Sequence, residues 1–482
     1  MSRPPAWRFG AALAAALVAS PPALAHGFGQ RFVLPLPLWL WVVGAGLTIV
    51  LTFLVMTVFV RERRIEGRYP HADLMEAQRS ELVAGLGTAF FVLVVAAGFF
   101  GVQDAYSNIV TTFIWVIWWV GFAFVCALVG NMWELVNPFD TLFRWAERAG
   151  GGKLSLDVPY PAGLGAWPAV VLFFLFAWAE LIWGTNDLPR NLAAAFSVYA
   201  LVTWIGMFVF GRRVWLQNGE AFSVAFGVLS RFAPLAVKEG RLVVRPYGAG
   251  LLKAEGVRAS FVVFVLLMLS TVTFDGFLET PAFQAITNAL YGSRTIANLL
   301  FQISDFGIND LQFIMTVALV VFPLLFVAAY WIASAFMVWL PRRFSPTAGS
   351  AEWRVVPIAC AFVLTLVPIA VAYHLSHYFS LLLTAGQFII PLLSDPFGWG
   401  WNLLGSRGYE VNIGIVSPYV LWYGATTIIV IGHVIAVYLA HVVAMREFGT
   451  RRAAMISQIP MVVLMVLYTM SSLWILAQPV VG

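Results

Sequence analysis

The chain has 482 residues, of which 61% are hydrophobic and only 11% charged. Soluble domains run nearer half apolar and a quarter charged, so this excess excludes a water-soluble enzyme and a disordered chain. Two cysteines exclude a disulfide scaffold, and a formal net charge of +5 placed in short loops excludes a nucleic-acid partner in favour of a lipid bilayer.

The first element is a processing signal at 1–25. Arg3 and Arg8 give it a positive start, residues 10–19 an apolar run, and Ala23-Leu24-Ala25 a small-x-small cleavage site. Cleavage would leave His26 as the new amino terminus outside the cytoplasm. The alternative is an uncleaved first helix.

Residues 26–482 then read as a single all-α polytopic domain. A span needs roughly 20 apolar residues. Ten stretches qualify, near 35–60, 82–101, 108–130, 166–184, 192–211, 258–275, 311–340, 355–383, 418–444 and 453–476. Lys and Arg concentrate in alternate loops: 61–68, Arg144, Arg148, Lys153, Arg212, Arg213, 231–258, Arg342, Arg343 and Arg451 to Arg452. Only Arg31, Arg190, Arg294 and Arg407 fall on the other side. The positive-inside rule then predicts a bacterial inner-membrane protein with both termini periplasmic. Residues 214–257 read as a cytoplasmic interfacial segment on the inner leaflet. Residues 276–310 and 391–417 read as long outer loops suited to binding or lid roles.

Ionisable groups inside spans carry the functional expectation. His374 and His377, in AYHLSHYF, share a helix face at i, i+3 and suit zinc or copper; their other use is hydrogen bonding between helices. His433 and His441 are separated by about 12 Å of rise and an offset of about 80° on an unbroken helix, so they cannot bind one ion. His433 is a fourth candidate ligand, while His441 reads as packing or part of a proton path. His26 offers an amine and an imidazole nitrogen, a chelate suited to copper, unless its position is an accident of the cleavage site. Asp275, in TVTFDGFLETP, is the candidate general base or ligand at the outer end of its span, or else a helix-end residue facing water. Glu180 lies at similar depth. Tyr373, Tyr378, Phe379, Phe397, Trp399 and Trp401 form either an interfacial belt or the wall of an apolar pocket.

HGFGQRFVLPLPLWL at 26–40, TFDGF at 273–277, HYFSLL at 377–382, SDPFGWGWNLLG at 394–405 and GHVIAVYLAH at 432–441, in this order, resemble the bacterial polytopic membrane proteins labelled fenitrothion hydrolase. The resemblance implies hydrolysis of an aryl organophosphorus triester, with loss of a nitrophenol. A divalent metal, zinc or copper, on His26, His374, His377 and His433 would supply a Lewis acid and an activated water, with Asp275 as base. The alternatives are a copper-dependent oxidoreductase or copper-handling protein using His26, and a transporter or assembly factor. A second membrane subunit is compatible with each.

Overall fold

The computed structural model describes residues 24–25, 32–33, 37–59, 72–76, 80–254, 256–346 and 349–478. The protein is an all-α polytopic helix bundle. Nine of its described helices are long and apolar enough to cross a membrane. They are α1 (Leu38–Phe59), α2 (Glu81–Phe100), α3 (Ile109–Leu128), α6 (Pro189–Phe210), α9 (Ala259–Leu278), α12 (Asp310–Phe344), α13 (Val355–Ser394), α14 (Pro418–Glu447) and α15 (Arg451–Leu476). Local sequence starts several of them. Ser80, Asn309, Ser417 and Thr450 accept a hydrogen bond from a first-turn amide, and Pro418 fills the first helical position of α14.

The fourth predicted span is shorter than expected. Helix α5 (Trp167–Leu181) has 15 residues, about 22 Å of rise against a hydrocarbon thickness of about 30 Å. It nevertheless joins the two ends of the bundle. The loop before it pairs with the end of α6 through the Leu156 amide and the Phe208 carbonyl, 2.7 Å apart. The loop after it accepts the Thr111 hydroxyl, at the start of α3, on the Asp187 carbonyl. Burial ranks the helices: 72% of the apolar window is buried in α9 and α13, against 22% in α1 and α12. The two central helices therefore carry Asp275 and His377, and the outer ones face lipid.

Residues 214–257 do not form an interfacial helix. Helix α7 (Arg212–Asn218) turns back along α6, stacking Trp215 on Phe210 with centroids 6.0 Å apart. Helix α8 (Ala221–Ser230) then returns, buried on every side rather than on one face. At the tip Glu220 bonds Tyr199, half-way along α6. The pair is a re-entrant hairpin, and its irregular backbone is tolerated at that depth because protein encloses it. Phe222 and Phe226 anchor it against Trp118, with centroids 4.4 and 5.9 Å from the indole. Alternation in the apolar run misled the reading: a segment that is apolar all round belongs in a core, not on a leaflet.

The rest of this segment holds a short β-hairpin and a 3-10 turn, Ala249–Leu252. Strands β4 (Leu235–Lys238) and β5 (Arg241–Val244) pair through a two-residue turn at Glu239 and Gly240, both with positive φ, and β3 (Ala72–Glu76) adds to the other edge of β5. A two-residue ladder joins β1 (Leu24–Ala25) to β2 (Phe32–Val33). The predicted loop at 276–310 is mostly helical, with α10 (Pro281–Gly292) and α11 (Arg294–Asp305). Residues 395–417 are irregular as expected.

Helices α13 and α14 cross closely at Gly432. A Cβ there would lie 2.4 Å from the Ala372 Cβ and 2.7 Å from the Pro368 carbonyl oxygen. Because one neighbour is backbone, Gly432→Val is expected to cost at least the usual 1–3 kcal/mol, roughly, of overpacking. Thermal unfolding in detergent should show a lowered midpoint, and an unchanged midpoint would mean that the crossing is looser.

Candidate functional site

The site forms where the C-terminal third of α9 meets the middle of α13. Asp275 is three residues from the end of α9, about 4.5 Å of rise. His377 and Tyr378 both reach it. The His377 Nε2–H donates to Asp275 Oδ2 at 3.0 Å, and the Tyr378 hydroxyl donates to the same oxygen at 2.7 Å. Their side chains are not sealed: Asp275 is 23% and His377 19% exposed, so the dyad is reachable. Close approach at Gly276 makes the contact possible, since a Cβ there would lie 3.2 Å from His377 Cε1 and 3.3 Å from the Tyr373 hydroxyl.

Aromatic rings frame the dyad. Tyr373, one turn before His377, stacks on its imidazole at 5.9 Å and 11°. Tyr378 packs edge-on against both histidines, 4.8 Å from His374 and 4.7 Å from His377. His374 is buried between Trp119 and Phe124 of α3, with centroids at 5.7 and 5.5 Å. Trp119 projects from a π-helical stretch, Thr112–Gly121, a distortion that is frequent beside functional sites. Among the described residues, the buried polar atoms here without a hydrogen-bond partner include the Tyr373 hydroxyl and His374 Nε2. Native interiors rarely leave such atoms empty-handed, so both are free to engage something that enters.

Two further carboxyl groups lie around the dyad. Glu180, near the end of α5, lies within electrostatic reach of Asp275 and Tyr378. Glu279, just past α9, reaches Asp275 and His377. Partial desolvation and then the Asp275 charge hold the Glu279 carboxyl above the ordinary range, with His377 pulling the other way.

The other expected residues separate. His433 donates Nδ1–H to its own Ile429 carbonyl at 2.8 Å and packs near Tyr468, leaving Nε2 without a partner. It is not bonded to the dyad. His441 pairs with Gln458 at 3.2 Å towards the other end of α14. His26, and the signal segment apart from residues 24–25, lie outside the described residues. Phe397, Trp399 and Trp401 pack on one another, with centroids 4.4–5.7 Å apart, in a loop tied to residues 101–109 and not to His377. Asp395 holds that loop by accepting the amides of Trp399, Gly400 and Trp401, so this carboxylate is structural.

Among the described residues no group of three or more His, Cys, Asp or Glu side chains is placed to hold a metal ion. His377 spends Nε2 on Asp275, His374 is caged by rings, and His433 points elsewhere. These donors do not fit a metal by themselves.

Tyr373 and Tyr378 earned no separate role from sequence, although both flank the histidines in AYHLSHYF. The signal was their i+4 and i+1 spacing to His377, which allows a ring and a hydroxyl to converge on one carboxylate. Comparison with family models, with curated proteins and with solved structures finds no match.

Proposed function

We propose that the protein is a membrane-embedded hydrolase of apolar aryl phosphotriesters, with Asp275 and His377 as its base. The observation that carries this reading is the hydrogen-bonded triad of His377, Asp275 and Tyr378 with the unpartnered Tyr373 hydroxyl beside it. Asp275 accepts the Nε2–H hydrogen bond of His377, fixing the tautomer that leaves Nδ1 as the basic nitrogen. That nitrogen removes a proton from water as the water oxygen attacks phosphorus. The Asp275 carboxylate favours the imidazolium that forms. The Tyr373 hydroxyl can donate to the phosphoryl oxygen as the P–O bond to the aryl group breaks. The imidazolium then returns its proton to the departing phenolate. Aromatic walls suit an aryl ester arriving from lipid, in line with the resemblance to proteins labelled fenitrothion hydrolase.

The basic ends of α6, α9 and α12 support an inner-membrane location with this site facing the periplasm. The test is hydrolysis of a p-nitrophenyl phosphotriester by the purified chain in detergent. Nitrophenol release at the rate of buffer alone would sink the reading. No step above passes through a metal, so activity is expected to persist after dialysis against a chelator. Loss of activity restored by zinc would assign the electrophile to an ion held with donors outside the described residues.

A second reading, a proton-coupled transporter, is favoured by the interrupted helices. The π stretch of α3, the 3-10 turns Val363–Leu366 and Ala385–Phe388 of α13, and the α7–α8 hairpin are the broken elements that transporters place at mid-membrane. Uptake by proteoliposomes under a pH gradient, without nitrophenol release, would favour it. The copper reading rests on His26 alone.

A further inference from the structure

The end of the bundle opposite Asp275 holds a polar cavity of 640 Å³. Helix α4 (Pro138–Ala149) and the short turn before it form one wall, the α7–α8 hairpin the other. Arg144, Arg212, Arg213 and Arg231 line it, and Asn137 bonds Ser223 across it at 3.3 Å. Among the described lining residues Glu134 and Asp140 are the carboxylates, and Arg144 also pairs with Glu81 at 2.9 Å, which leaves Arg213 and Arg231 as the excess positive charge. Asp140 is taken by Arg212 at 2.5 Å and by Arg144 at 3.6 Å. Glu134 accepts from Asn131.

The remaining positive charge has no counter-ion among the described residues. Arg231 bonds the Lys253 carbonyl and lies over the Phe261 ring at 5.8 Å. Arg245, behind it, bonds only the carbonyls of Ser230, Arg231 and Ala233. Burial lowers the pKa of both guanidinium groups, and the Arg231 charge lowers that of Arg245 further. Two neighbouring, partly desolvated cations with carbonyl partners alone are an electrostatic cost that a bound anion relieves. The planar guanidinium fork matches tetrahedral oxyanions.

We propose that this cavity binds a phosphate group, with Arg213 and Arg231 as its principal contacts. Two sources offer that chemistry, an anionic glycerophospholipid headgroup and a soluble phosphate. The binding is independent of the proposed hydrolysis at the other end.

The test uses the full chain in nanodiscs, with thermal unfolding as the readout. One arm adds inorganic phosphate to phosphatidylcholine discs. The other replaces part of the phosphatidylcholine with phosphatidylglycerol. Stabilisation by phosphate supports the site and names a soluble ligand; stabilisation by phosphatidylglycerol alone supports it and names a lipid. Each arginine removed, in Arg213→Gln and in Arg213→Gln with Arg231→Gln, is expected to weaken the effect roughly five-fold, while Arg190→Gln at the far end leaves it unchanged. Among the described residues the Arg213 side chain makes no bond that its loss would break, so this single variant stays informative if the double variant fails to fold. No stabilisation in either arm, or equal stabilisation of wild type and Arg213→Gln, overturns the proposal.

Discussion

His377→Ala is expected to lower kcat for a p-nitrophenyl phosphotriester by about 10²–10⁴-fold, the range that a positioned general base contributes. Its imidazole supplies the basic nitrogen that takes a proton from an entering water, and the Asp275 carboxylate orients it. Binding should change far less, because the aromatic walls and the Tyr373 hydroxyl remain. The loss therefore falls on kcat and leaves KM within a few-fold, roughly, as expected for an interaction made mainly in the transition state. Tyr378→Phe should cost less. It removes one hydrogen bond to Asp275, worth about 1.5–3 kcal/mol when the acceptor is charged, and leaves the His377 bond in place. Initial rates in detergent decide this, and full activity of His377→Ala would remove the dyad from consideration.

Glu220→Ala is expected to carry the largest stability cost in the chain. The Glu220 side chain is fully buried at the hairpin tip and accepts from the Phe222 and Ser223 amides at 2.9 and 2.7 Å. It also accepts from the Tyr199 hydroxyl and from the Trp133 indole at 3.5 Å. Alanine would strand those donors away from water. At about 1–3 kcal/mol per stranded buried group, the loss is about 3–5 kcal/mol even after partial relaxation. Glu220→Gln keeps an acceptor for the α8 amides and should cost clearly less. Unfolding midpoints of the three proteins give the order, and equal midpoints would show that the hairpin is held by its aromatic contacts alone.

What sequence revealed and what it hid have separate physical causes. Long apolar runs and Arg placement define spans because the bilayer imposes one length and one charge rule on every helix. The spans at α1, α9 and α14 were readable for this reason. The α7–α8 hairpin obeys no such rule. It is too short for a span, and its enclosure depends on α3, α5 and α6, which come from elsewhere in the chain. The same distinction holds at the site. Asp275 and His377 stood out because ionisable residues are costly in an apolar run. Their pairing across 102 positions, and the capture of Tyr378 by the same carboxylate, depend on how closely α9 and α13 approach at Gly276. His433 shows the limit of the depth argument. It shares a membrane level with the candidates, yet its ring bonds its own helix, because depth fixes one coordinate and leaves the azimuth open.

A double-mutant cycle on nitrophenol release tests the central claim most directly. Asp275→Asn, His377→Ala and the combined variant are compared with wild type. If the two residues act as one base, the combined variant loses no more than about the larger single loss. Losses that multiply would contradict the dyad, as would a wild-type rate in either single variant.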